Sequence, residues 1–433
     1  MIRSLIASDN QARDAVTMLA DIDHALSSEQ SLNAIVKGLP TEVVSGVRKS
    51  LTTERRELQN LLDAYERAKD GDIDLMRKNA GHDPGAALIV ARLARGLTQK
   101  ELARKLGLRE QAVQRYEAEK YRGISLMNYL KFASVLGVEW RIHYAEGVRD
   151  GWALAKDISS AEARKVLKHA RENRWFADFE QTSDEDGLDQ LKRHMAEHVV
   201  KHGAPSLLRT GLNVVDHSED WVLLSWKAQV TRLAEKVIAK ETVNYRPLEV
   251  SWLLDLIRLS AAENGPSRAA DLLKQHGIVL IIEPHITGMK VDGASFLVGD
   301  VPVVALSLLR DTLDNFWFTL LHEVAHIILH YRTGLATGFF DSFTAPPVDE
   351  LEEEANLFAA NLLIPEELWK RSPARIAKTA APIEAFAKQL GIHPAIVFGR
   401  IRKERDDYSI FSSKIGRGAV HRQLLSQQKK GDQ

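Results

Sequence analysis

The chain has 433 residues, 45% of them hydrophobic and 27% charged, with 58 basic residues set against 59 acidic ones. That is room for about two to four compact domains, with ample chain to bury a core. Cysteine is absent, which excludes a disulfide scaffold, a thiol nucleophile and thiolate metal sites, and fits a reducing cytoplasm. No apolar run approaches the roughly 18–20 residues of a membrane-spanning helix, and the start, MIRSLIASDN, has no long apolar stretch of the secretory kind.

Apolar positions over residues 1–80 recur at three- and four-residue spacing, which predicts a helical docking or dimerisation region without evident chemistry. GHDPG at 81–85 reads as a loop, and residues 81–145 follow as a set of short helices. Residues 146–262 predict a helical connecting domain broken by an acidic loop, QTSDEDG (181–187), and by HGAPS (202–206). Its Trp221, Trp226 and Trp252 sit among apolar residues and are expected in the core. After ENGPS the pattern changes. IVLII is a strand, and SFLVGDVPVVALS is a hairpin turning at Gly299–Asp300. An apolar helix follows at 315–330, then a Gly/Pro loop, a second helix at 350–363, and short helices to about 405. His393 precedes Pro394 at a helix start and reads as a cap or surface residue. Residues 406–433 read as a basic, loosely ordered tail. The fold class expected is mainly α and multidomain, with a small β-hairpin sheet confined to a domain at 263–405.

Residues 86–123 carry clear punctuation. Thr98 is a good N-cap with Glu101 three residues on, a capping box, and Gly107 ends the helix that Leu102, Ala103 and Leu106 make amphipathic. A second helix runs from about Arg109 to Ala118 with Ala112, Val113 and Tyr116 inward. Between 85 and 140 there are ten Lys or Arg and five Glu, a local excess suited to phosphate contact. The string GLTQKELARKLGL…VQRYE resembles the Xre/Cro-type helix-turn-helix repressors over about 55 residues. The resemblance implies that Arg109–Ala118 is a recognition helix entering operator DNA. Glu110, Gln111 and Arg115 then take the base-contact places, with Arg109 and Gln114 beside them. Gln99, Lys120 and Arg122 would meet phosphate. Glu110 departs from the pattern, because an acid there can accept from cytosine but opposes phosphate.

NFWFTLLHEVAHIILHY (315–331) contains His-Glu-x-x-His. In a helix, positions i and i+4 share a face, so His322 and His326 can grip one Zn²⁺ while Glu323 stands ready to take a proton from water. The helix is apolar all round and so expected to be buried, where two imidazoles and a carboxylate without partners would cost several kcal/mol. A carboxylate cluster, DELEEEANLFAANLLIPEE, lies downstream. FTLLHEVAHIILH, the ExEAN-x-FAA-x-LLIP string and the upstream hairpin resemble the ImmA/IrrE family of zinc metallopeptidases over roughly 265–370. That resemblance implies an α+β zincin-like domain. It points to Glu352 as third ligand, with Glu353 and Glu354 still open, and to Asn356 as an orienting neighbour of a ligating histidine. Zinc is the expected ion, although Mn²⁺ or Co²⁺ suits the same ligands. The oxyanion stabiliser is not evident; His330 and Tyr331 are near in sequence.

The combination implies a cytoplasmic, DNA-binding transcriptional regulator, expected as a homodimer. It would carry a zinc-dependent endopeptidase domain acting on a repressor or antitoxin protein, as in bacterial or phage-borne relatives. Its N-terminal helices are loosely similar to those of HigA-type antitoxins. The alternative is a non-enzymatic antitoxin or repressor of a toxin–antitoxin or phage-related system, with a structural metal site.

Overall fold

The computed structural model describes residues 5–81, 83–118, 120–121, 124–139, 160–177, 179, 182–202, 217–241, 243–331, 335, 339–341 and 350–424. The chain is mainly α with one small sheet. It divides into two compact units, Met1–Leu32 with Leu51–Arg149, and Asn33–Ser50 with Asp150–Gln433.

The first unit is all helical. α1 (Asp9–Leu26) starts where the Ser8 hydroxyl accepts from the Gln11 amide, and α2 (Glu29–Ile35) follows. α3 (Thr41–Lys69) contributes its first residues, to Ser50, to the second unit and the remainder to the first. Asp9 ties α1 to α3 by accepting from the Tyr65 hydroxyl at 3.0 Å. After α4 (Asp74–Ala80) come four short helices: α5 (Pro84–Ala94), α6 (Gln99–Leu106), α7 (Glu110–Ala118) and α8 (Leu126–Val135). Their boundaries follow from local chemistry. Asp83 caps α5 with Pro84 just inside, the Thr98–Glu101 capping box starts α6, and Gly107 at φ 67° stops it. Gly85 is required because a Cβ there would lie 1.8 Å from the Lys120 carbonyl oxygen.

The second unit opens with α9 (Ser160–Glu172), α10 (Asp184–His202) and α11 (His217–Lys240), then α12 (Trp252–Arg258) and α13 (Gly265–Gln275). A four-stranded sheet follows, in the order β1 (Val279–Ile282), β3 (Val301–Leu306), β2 (Gly293–Val298), β4 (Phe339–Asp341). β1 pairs parallel with β3, and β2 pairs antiparallel with both β3 and β4. The β2–β3 hairpin turns at Gly299–Asp300 as expected. α11 packs on the sheet and α9 packs on α11, with Trp175, Phe179 and Trp226 in one core cluster with Val279, Ile281 and Phe296. α14 (Leu313–His330) and α15 (Glu350–Leu363) lie together, and α14 also packs on β2 and β3. α16 (Glu366–Arg371), α17 (Ala380–Leu390) and α18 (Pro394–Glu404) complete the unit. Trp221, Trp226 and Trp252 are all buried, and His393 caps α18 by accepting from the Ala395 amide at 3.1 Å.

Two expectations need correction. The acidic segment 181–187 is not a loop throughout: Asp184, Glu185 and Asp186 form the first turn of α10. There the Ser183 hydroxyl accepts from the Asp186 amide, and three carboxylates favour the positive end of the helix dipole. Residues 406–424 are not loosely held. Ile415 and Val420 are buried, the Ile415 carbonyl accepts from Leu313, and Gly418 donates to Asp311. Residues 203–206 and 425–433 lie outside the described residues.

Candidate metal centre and nucleic-acid interface

α14 is buried along nearly its whole length, and it carries His322, Glu323 and His326 into the interior with no measurable exposure. The i, i+4 spacing puts the two imidazoles on one face, where Nε2 of His322 and Nε2 of His326 stand 3.0 Å apart. α15 brings Glu352 to them, its Oε2 3.3 Å from His322 Nε2 and its Oε1 3.4 Å from His326 Nε2. These side chains form a group able to hold a metal ion. A tetrahedral ion with bonds of about 2.0–2.1 Å to nitrogen and oxygen spaces its ligand atoms about 3.3 Å apart. The two imidazoles are close to that spacing at 3.0 Å, and Glu352 meets each ring through a different oxygen, at 3.3 and 3.4 Å, so the three side chains are placed to share one zinc-like ion in a His₂Glu site.

The walls of this site come from β4, β2 and α14 itself. Phe339 of β4 stacks on His326, ring centroids 4.0 Å apart and planes within 13°. Phe318, one turn before His322, stacks on the His322 ring, centroids 6.3 Å apart. Gly293 opens β2 against Glu323: a Cβ there would come 2.4 Å from Glu323 Oε1 and 2.8 Å from Thr319 Cγ2. His330 donates to the Leu351 carbonyl at 3.2 Å; burial, then the adjacent His326, pushes its pKa down to about 4, so it is neutral near pH 7.

In the first unit a second buried polar cluster fixes the helix pair. Arg92 of α5 meets Glu117 of α7 through two hydrogen bonds, Nε to Oε1 at 2.6 Å and Nη2 to Oε2 at 2.8 Å. The same guanidinium donates to the carbonyls of Leu97 and Ala7, and Gln99 of α6 donates to Glu117 at 2.8 Å. A buried charge pair is tolerable only when its remaining donors and acceptors are met this way. Around it Val113, Leu102 and Phe132 make the apolar seam, and the outer face of α7 is exposed.

Residues 273–397 match the IrrE N-terminal-like domain of the M78 peptidases, and residues 88–142 match a helix-turn-helix. The chain joins the two domains. No curated protein and no solved structure matches it.

Within the peptidase-family domain, the structure brings together His322, His326 and Glu352, and it separates the three consecutive acids. Glu353 is exposed, and Glu354 pairs with Lys49 of α3. Asn356 lies one turn beyond Glu352 with its Oδ1 buried and not hydrogen-bonded; no bond joins it to either histidine. The Tyr331 hydroxyl donates to the Asp300 carbonyl at 3.1 Å. Sequence reasoning missed Gly293, Phe339 and the start of α3. There the Ser50 hydroxyl donates to the Ile328 carbonyl at 2.7 Å, and Gly46 lies against Leu329 and Phe358. Only the glycine at a strand start carried a signal, since glycine in a strand marks close approach of another group.

Within the helix-turn-helix domain, Arg109, Glu110, Gln111, Gln114 and Arg115 are all exposed on or beside α7. Gln114 donates to Glu110 at 3.2 Å, and the Arg115 guanidinium lies over the Tyr116 ring. Gln99 spends one side-chain hydrogen on Glu117 rather than facing only outward. Lys120 lies 3.8 Å from Asp83, the α5 cap, so its charge is shared with that carboxylate. Arg122 lies outside the described residues. Among the described residues no helix is long and apolar enough to cross a membrane.

Proposed function

We propose that the chain is a cytoplasmic, operator-binding regulator, working as a homodimer, whose 263–405 domain is a zinc-dependent endopeptidase acting on a repressor or antitoxin protein. The observation that carries this reading is the convergence of His322, His326 and Glu352 on one point, with Glu323 on the same helix turn and buried beside them. His322, His326 and Glu352 would hold a divalent zinc, which would supply Lewis-acid chemistry toward a peptide carbonyl. Glu323 is the general base: it takes the proton of the attacking water and returns it to the leaving amine. Phe339 fixes the ring plane of His326, and Gly293 leaves Glu323 the space it occupies. Asn356, one turn from Glu352 and with a free acceptor, is placed to orient a ligand or bind the peptide backbone.

In the first unit, the exposed face of α7 is the DNA reader. Arg115 suits a guanine and Gln111 an adenine, with Glu110 accepting from cytosine and Arg109 and Gln114 flanking them. Gln99, Lys120 and Arg122 belong to the phosphate-contacting set in this reading.

The test pairs purified, zinc-loaded protein with Xre-type repressors encoded beside it and follows cleavage by intact-mass spectrometry. Wild type is expected to cut one of them, while Glu323→Gln keeps its zinc and its DNA affinity but cuts none. Cleavage that survives in Glu323→Gln refutes the assigned base. Zinc binding without cleavage of any repressor returns the chain to the non-enzymatic repressor or antitoxin reading.

A further inference from the structure

A cavity of about 1150 Å³ opens where the first half of α14 meets the end of α15, α18 and the 408–417 segment. It is aligned with the metal centre by helix geometry. Asn315, Phe318 and His322 occupy successive turns of one face of α14, and Glu352, Asn356 and Ala360 do the same on α15. Asn315, Phe318 and Ala360 line the cavity, whereas His322 and Glu352 hold the centre. Phe318 is the shared wall, stacking on His322 and carrying the Lys403 ammonium 5.0 Å from its ring centroid.

The floor is apolar, from Phe318, Leu363, Ile364 and Ile396, and the rim is basic. Two of the rim cations are already neutralised. Arg400 pairs with Glu366 and Glu404, and Arg402 lies 3.6 Å from Asp314. Three others, Arg310, Lys403 and Arg417, pair with no carboxylate among the described residues. Of the cavity's own acids, Glu404 accepts from Trp369 and Arg400, Asp311 accepts from the His421 amide, and Asp314 lies against Arg402 with its pKa raised by burial. Partial desolvation lowers the Lys403 pKa, and Arg400 adds to that, the expected effect on an ammonium beside a second cation.

We propose that this cavity is a specificity pocket that takes the acidic side chain, Glu or Asp, of a peptide laid across the His322–Glu352 centre. It rests on the peptidase reading and adds the substrate class. The aliphatic stem of a glutamate lies on Phe318 and Ile396, and its carboxylate meets Lys403, with Arg310 and Arg417 at the rim. A lysine side chain of the same length would bring a fourth cation into the same space.

The experiment is fluorescence anisotropy on the full-length, zinc-loaded Glu323→Gln protein, which binds without cutting. The probes are short fluorescein-labelled alanine–leucine peptides carrying one central glutamate, glutamine or lysine. The glutamate peptide is expected to bind about tenfold tighter than the lysine peptide, with the gap narrowing at high salt. Adding Lys403→Glu, a change on an exposed helix end, should reverse the order while circular dichroism and zinc content stay unchanged. Equal binding of the three peptides, no binding of any, or a preference that persists in the Lys403→Glu variant overturns the proposal. The two readings fail separately. Acidic preference in a protein that cuts nothing removes the peptidase reading alone, and cleavage without acidic preference removes this one alone.

Discussion

The histidines of α10 make a pH prediction that can be worked through. His194 and His198 are buried, with relative exposures of 8% and 6%, and neither Nε2 has a hydrogen-bond partner. Burial is the main cause that pushes them down to about 4 and about 3; Arg232 adds to it for His194, and His202 and Lys227 for His198. Each is therefore neutral when folded and titrates near 6.5 when unfolded. Between those values the unfolded chain binds more protons, so stability is complete above about pH 6.5 and is lost as pH falls. At pH 5 the loss is RT ln[(1 + 10^(6.5−5))/(1 + 10^(pKa−5))], about 2 kcal/mol for each histidine and about 4 kcal/mol for the pair. Urea unfolding followed through Trp221 and Trp226, which pack in the same bundle, measures it at pH 7.5 and pH 5. The His194→Leu/His198→Leu double variant should lose about 4 kcal/mol of the wild-type pH difference. A double variant whose stability falls with pH as steeply as the wild type would refute the burial argument.

Elemental mass spectrometry should find about one zinc per chain in wild type and in Glu323→Gln, and none in His322→Ala, since the site needs its ligands but not its base. Glu117→Ala leaves the Arg92 guanidinium buried without its counter-charge and should cost about 3–5 kcal/mol in urea unfolding. A loss under 1 kcal/mol would show the pair to be solvated. Gly293→Ala forces a methyl group onto Glu323 and should destabilise by about 1–3 kcal/mol, with the metal content retained. Arg115→Ala should weaken operator binding by about 1–3 kcal/mol in anisotropy titrations while leaving non-specific binding nearly unchanged; a uniform loss on all sequences would make Arg115 a phosphate contact instead.

What could be read from the sequence was whatever local spacing controls. Thr98 and Glu101 are three residues apart, so their reciprocal capping needs nothing from the rest of the chain, and it forms as expected. His322 and His326 share a helix face for the same reason. The third side chain was ambiguous among Glu352, Glu353 and Glu354 because the choice depends on how α15 is rotated against α14. Packing decides it: Ala355, Phe358 and Ala359 are buried, which turns Glu352 inward and leaves Glu353 in solvent and Glu354 to Lys49. Nothing in the α3 sequence announces that Lys49 and Ser50 belong to that helix pair. The acidic run at 184–186 was misread because composition cannot tell a solvated loop from a helix start, and Ser183 as the cap was the overlooked signal.

The two buried polar clusters also differ in what they can be for. Arg92, Glu117 and Gln99 form a closed set: donors face acceptors, the charges cancel, and every bond is spent on holding helices together. His322, His326 and Glu352 instead aim two ring nitrogens and a carboxylate at one point, lone pairs toward lone pairs. Only a proton or a metal cation reconciles such an arrangement. A single proton can serve one pair of these atoms, whereas an ion between them can be met by both rings and by the carboxylate together. Glu323 tilts the argument further, because a site kept for stability would have no use for a second buried acid placed beside the two histidines and Glu352 with a glycine opposite to make room.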